Sequence, residues 1–159
     1  MKNFVRACRV FYNLEKDIAV VAAVYNGAGS RGIPNGAARV AFSDADRLNA
    51  AIKTALENCL PLDGEVDLLN DFPNRVKDWA ALKASGYRTA KQFGREFVNL
   101  HIRGANEMNH FYEITTPEFG KFLLHLSVVV SAYKYDFGEA IQYLSKAYKE
   151  MLNLESLEG

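Results

Sequence analysis

Two histidines, His101 and His110, are the side chains in this sequence best suited to proton transfer. A histidine pair can supply a general base and a general acid, provided both rings reach one face beside a tyrosine or a cation. The flanking pattern argues against that. Val98, Leu100 and Ile102 alternate with Asn99, His101 and Arg103, a period of two. His110 falls in phase with Met108, Tyr112 and Ile114, on one face of the strand expected next. Structural histidines are therefore the expectation, and a small hydrolase or nuclease using His101 and His110 stands as the alternative function. His125 has no metal-ligand spacing with either, so neither a metal nor any other cofactor is expected. A second motif, Gly27-Ala28-Gly29-Ser30-Arg31-Gly32, is a literal G-x-G-x-x-G after an apolar run. In a dinucleotide-binding fold its last glycine lies inside a helix whose N-terminus holds the pyrophosphate. Here Pro34 and Asn35-Gly36 stop a helix at once, and the next strand leaves no room for a crossover helix. Residues Asn26 to Gly36 read as a surface loop, and neither a nucleophile elbow nor a phosphate loop occurs elsewhere.

Charge separates along the chain more clearly than any motif. The whole sequence of 159 residues has 19 basic and 19 acidic residues, a formal net charge of zero. That speaks against a general affinity for nucleic acid, which rests on an excess of Lys and Arg that displaces counterions. From Met1 to Phe42 the bases Lys2, Arg6, Arg9, Lys16, Arg31 and Arg39 face only Glu15 and Asp17. From Ser43 to Asp78 the balance reverses. Asp44, Asp46, Glu57, Asp63, Glu65, Asp67, Asp71 and Asp78 outnumber Arg47, Lys53, Arg75 and Lys77. A solvated face explains such a run as well as a docking surface does. On the docking reading, complementary potential would select a basic partner, with Asp63, Glu65, Asp67 and Asp71 as contact candidates and Asp44 and Asp46 next.

The elements that would carry these residues follow from periodicity. Val5–Tyr12 and Ile18–Tyr25 flank a polar turn and read as an antiparallel hairpin, with a short strand at Ala38–Phe42. Ser43 is the expected N-cap of a helix whose Leu48, Ile52, Ala55 and Cys59 share one face, and Pro61 lies just past its end. Leu62–Asn74 reads as an acidic linker, and Val76–Ala84 as a short helix ended near Gly86, with Trp79 and Leu82 in the core. Strands follow around Val98–Arg103, Met108–Ile114 and Phe122–Ala132, then a helix from Asp136 with Phe137, Ile141, Leu144, Tyr148 and Met151 on one side. The expected fold class is α/β of the α+β type: a single domain at 1–154, mainly an antiparallel β-sheet with amphipathic helices packed on it, and a frayed tail at 155–159. Two cysteines without paired spacing suggest buried thiols in a reducing compartment. The N-terminus has no apolar core of a signal peptide, and the longest apolar stretch is too short to span a membrane, so a cytoplasmic location is expected. The strand–helix pair at Val40–Cys59 also matches Val128–Met151 in pattern, Ala51-Ile52 corresponding to Ala140-Ile141.

The stretch from Trp79 to Phe93, with Trp79, Leu82, Lys83, Gly86, Lys91 and Phe93 in order, resembles the W-x-x-L-K-x-x-G … K-x-F stretch of an immunity protein family from bacterial contact-dependent growth inhibition systems. Asp136-Phe137-Gly138-Glu139-Ala140-Ile141 is similar to that family's D-x-x-L-G-E-A-I-like helix start, one residue shorter before Gly138. Ser43–Ile52 looks like an earlier copy, with Asn49-Ala50 where Gly-Glu would stand. The resemblance implies a non-catalytic, cytoplasmic protein of the toxin-bearing cell. Its partner would be the cognate toxin C-terminal domain of a large surface exoprotein, often a nuclease, neutralised by steric occlusion. No direct contact with nucleic acid or membrane is implied, and the motifs leave the oligomeric state unassigned.

Overall fold

A computed structural model describes residues 4–26, 31–61, 79–133 and 136–158, with the side chains at 31–32, 34–35 and 157–158 outside that description. Strands β1 (Ala7–Asn13) and β2 (Ile18–Asn26) form the expected hairpin, Val10 opposite Val21. Asp17 closes its turn with φ 54°. Strand β3 (Arg31–Ala41) pairs back on β2 and begins well before the expected Ala38, because Tyr25 and Val24 extend the ladder to Arg31 and Gly32 past a register shift. The G-x-G-x-x-G motif is thus partly strand, and its residues 27–30 lie outside the described set. Helix α1 (Ala45–Glu57) follows, then a two-residue strand β4 (Leu60–Pro61) that pairs in parallel with the end of β2, on the flank β1 leaves free.

Two short helices, α2 (Ala80–Ser85) and α3 (Ala90–Glu96), lead into β5 (Val98–Gly104), β6 (Phe111–Thr115), β7 (Ser127–Ser131) and the long helix α4 (Phe137–Glu158). The sheet runs β3-β2-β1-β5-β6-β7, antiparallel throughout apart from β4 beside β2. The chain is a single α+β domain, as its periodicity implies.

Burial along each strand shows which faces are covered. The apolar runs of β1 and β2 are buried on both sides, while β6 and β7 alternate between buried and open positions. One face of the whole sheet, including Val10, Val21, Leu100, Ile114 and Val130, packs on Leu48 and Ile52 of α1 and on Phe137, Ile141 and Leu144 of α4. The opposite face is covered over its first half, where Phe11, Val20 and Ala22 meet Ala81 and Leu82 of α2, Phe93 of α3 and Phe97. Gly86 ends α2 in the left-handed conformation (φ 78°), and Thr89 caps α3 by accepting from the Gln92 amide at 3.2 Å.

The topology repeats itself. A three-strand meander and a helix, β1-β2-β3-α1, is followed by a second, β5-β6-β7-α4, and the halves meet where β1 pairs antiparallel with β5. The two similar strand–helix stretches of the sequence therefore occupy equivalent places, β3 and β7 at opposite edges and α1 packed on α4. Each helix opens on a capping aspartate: Asp44 accepts from the Arg47 amide at 3.1 Å, and Asp136 from Gly138 and Glu139 at 2.6 and 3.3 Å. The Phe137 amide donates to Asn49 Oδ1 at 2.9 Å, and a Cβ on Gly138 would stand 2.2 Å from the Ala45 carbonyl oxygen.

Several local expectations need correction. Ser43 is not the N-cap. Its amide and hydroxyl both donate to the Asp17 carboxylate at 2.7 Å, which ties the β1–β2 turn to the end of β3 and hands the cap to Asp44. Met108 and His110 do not share the β6 face, because Asn106–Asn109 forms a turn held by Asn109, whose Oδ1 accepts from the Arg6 amide at 2.8 Å. Residues 120–123 form a tight turn, with Leu123 at φ 53° and closed by the Phe119–Leu124 bridge, so β7 begins only at Ser127.

Candidate functional site

The acidic candidates divide. Asp63, Glu65, Asp67 and Asp71 lie outside the described residues. Asp44 carries a structural load as the α1 cap and pairs with Arg47 at 3.5 Å. Asp46 stands exposed in the first turn of α1, where a carboxylate also favours the helix dipole. The close approach of Ala45 and Gly138 brings the starts of α1 and α4 together, so Asp46 shares that end of the molecule with Asp136 and Glu139. Sequence reading placed Asp44 and Asp46 with the acidic middle. It missed the second pair because Asp136 is some 90 positions away in the chain.

The structure separates the two histidines. His101 pairs across the sheet with Arg9 on β1 and Thr115 on β6, on the face away from α1 and α4. His110 precedes β6, five positions before Thr115 and so roughly 16 Å along the strand at about 3.3 Å per residue. Its ring packs edge-on against Tyr133 at 5.4 Å. No described arrangement places both imidazoles about one reacting atom, and among the described residues no cluster of His, Cys, Asp or Glu is arranged to hold a metal ion.

Burial lowers the His101 pKa below the ordinary imidazole range; Arg9 and Arg103 add to this and Glu113 opposes it. His101 Nε2 and its strand neighbour Asn99 Oδ1 are buried without a hydrogen-bond partner. A histidine depressed in the folded state takes up its proton first in the unfolded chain, so its contribution is intact above the unfolded pKa of about 6.5 and is lost as pH falls towards the folded value. Urea unfolding should accordingly show stability falling from pH 7.5 to 5, with a shallower fall in His101→Gln. Equal slopes for the two proteins would contradict this assignment.

The second half of that sheet face carries no helix among the described residues. On that face Phe111 on β6 is 53 % exposed and Val129 on the edge strand β7 is 59 % exposed. Large apolar side chains exposed together on an uncovered sheet face mark a surface suited to a protein partner. The signal was present in the sequence as aromatic residues in both phases of Phe111-Tyr112, but alternation alone does not tell a second core from a docking face. At the other side of the molecule, Lys16 Nζ donates to the Tyr87 hydroxyl at 2.6 Å, Tyr87 donates to Glu96, and Lys16 pairs with Glu96 at 3.5 Å. These bonds fasten the β1–β2 turn to α2 and α3. The hydrogen bond from Tyr87 leads the causes that hold the Glu96 carboxyl below its ordinary range.

No family model matches this sequence, and no curated protein does. Solved structures do. A protein of unknown function from Neisseria meningitidis, NMB0488, superposes with a TM-score of 0.66 at 14% identity, over 92% of this chain and 94% of that one. A chain of the CdiA-CT/CdiI toxin and immunity complex from Yersinia pseudotuberculosis superposes with a TM-score of 0.62 at 16% identity, over 90% and 97%. Identity this low establishes likeness of fold, and the coverage makes it a likeness of whole chains.

Proposed function

We propose that this chain is an immunity protein. It binds a cognate toxin domain and blocks it sterically, with no catalytic step of its own. The observation that carries this reading is the match over nearly the whole length of both chains to a component of a toxin and immunity complex. The exposed apolar side chains of Phe111 and Val129 on the uncovered sheet face support it, since binding energy at an interface concentrates in a few buried aromatic and aliphatic anchors. The partner proposed is the C-terminal toxin domain of a large surface exoprotein, a nuclease, met in the cytoplasm. A basic nuclease would face the acidic middle of the chain, with Asp63, Glu65, Asp67 and Asp71 as contact candidates and the exposed Asp46 as a further one. Asp44 is the weaker candidate because its carboxylate already caps α1.

The test is copurification with the toxin domain encoded immediately upstream, followed by titration of that toxin's activity. Inhibition should be complete near one-to-one. Reversing Asp63, Glu65 and Asp67 to lysine together should weaken binding by about 10²-fold or more, each lost charge contact being worth about 1 kcal/mol. Undiminished protection by that triple variant would discard the contact assignment and leave the function standing. A folded protein that neither binds nor inhibits would discard the function.

A further inference from the structure

A cleft of about 430 Å³ opens between the β1–β2 turn, the start of β5 and the C-terminal half of α4. Tyr12 of β1 and Tyr148 of α4 both line it, although they are only 2 % and 7 % exposed. Neither hydroxyl has a hydrogen-bond partner among the described residues. Leu14, Val98 and Leu152 supply apolar wall. Lys149 stands on the rim without an ion-pair partner among the described residues, whereas Lys16 on the same rim is engaged by Tyr87 and Glu96.

These groups have one chemistry in common. Burial keeps both phenols protonated, and at Tyr12 the neighbouring Tyr148 adds to the effect, so each offers an O–H to a ligand. Two hydroxyl donors and an ammonium beside an apolar wall match an anion carried on an apolar body, in a volume typical of small-ligand sites. Of the two carboxylates in the lining, Glu96 is paired with Lys16, and Glu15, exposed on the turn at the rim, opposes the build-up of negative charge, which limits the ligand to a single one. We propose that this cleft binds a single carboxylate on an aromatic or branched aliphatic body. The carboxylate meets the Tyr12 and Tyr148 hydroxyls and the Lys149 ammonium, and the body lies against Leu14, Val98 and Leu152. The site is independent of toxin binding. A free organic acid and the C-terminal residue of a polypeptide present the same group.

Calorimetric titration of the full chain tests this with 3-phenylpropionate, with its amide, and with a short peptide ending in Phe as free acid or amide. Saturable binding of an acid, with the matching amide at least about tenfold weaker, is expected from the loss of charge-assisted bonds. Tyr148→Phe and Lys149→Ala should each weaken the acid by about tenfold at an unchanged melting temperature. Binding of the peptide acid alone would assign the cleft to a chain terminus, and binding of 3-phenylpropionate to a small molecule. Absence of saturable millimolar binding by either acid overturns the proposal, as does binding indifferent to both substitutions.

Discussion

Gly138→Ala should lower the unfolding free energy by about 3 kcal/mol, and the melting temperature by roughly 6–12 °C for a chain of this size. The reason is a single contact. The added methyl carbon would lie 2.2 Å from the Ala45 carbonyl oxygen and 3.0 Å from the carbonyl carbon, and both are backbone atoms with no rotamer to yield. Relief requires α4 to move off α1, and that shift disturbs the packing of Leu48, Ile52, Phe137 and Ile141 between the helices and the sheet. Gly94 in α3 provides the control, because a Cβ there meets nothing within 4 Å. Gly94→Ala should stabilise by about 0.5–1 kcal/mol through helix propensity. Urea denaturation of both variants measures the contrast. Equal stabilities would mean that the helices cross less closely than described.

Phe93→Ala should cost about 3–5 kcal/mol, the range for deleting a fully buried aromatic ring. Phe93 is 0 % exposed and sits among four rings, with centroids at 4.7 Å to Phe97, 5.0 Å to Phe11 and to Trp79, and 6.4 Å to Tyr87. This cluster holds α2 and α3 against the back of β1 and β2. Trp79 is the only tryptophan, so its emission reports on that contact directly. Fluorescence and far-ultraviolet circular dichroism should give separate transitions in the variant if the α2–α3 layer loosens before the sheet melts. A cost below about 1 kcal/mol would show that the site collapses around the missing ring.

Much of this architecture was legible in the sequence where burial leaves a periodic trace. The continuous apolar runs of β1 and β2, the alternation of Val98 to Arg103 and the Leu48-Ile52-Ala55 stripe each followed from the face the residue meets. Features decided by distant partners were not legible. Ser43 looks like a cap until Asp17, 26 positions earlier, takes both of its donors. Helix α3 has one buried side chain, Phe93, too few to show a helical period in seven residues. Leu60-Pro61 joins the sheet because β1 stops short of it, a fact of the register and not of composition. Of the site, the phase of His101, opposite to Leu100 and Ile102, could be read in advance, whereas the turn that takes His110 off β6 could not. The exposure of Phe111 and the meeting of Tyr12 with Tyr148 required the fold.

The doubled meander has a consequence for how the chain is made. Within each half, neighbouring strands are joined by short connections, so β1 to α1 can organise from local contacts as the ribosome releases them. The seam is different: Val10 pairs with Leu100, about 90 residues later, and closing so large a loop carries an entropic cost that slows the step. At about 5–20 residues per second, the roughly 40 residues between α1 and β5 take several seconds to synthesise. During that interval the inner edge of β1 stands unpaired, with Arg9 as the only charge along its seven residues. The nascent first half is thus a sheet waiting for its complement, and its exposure to aggregation is set by translation speed as much as by the stability of the finished protein.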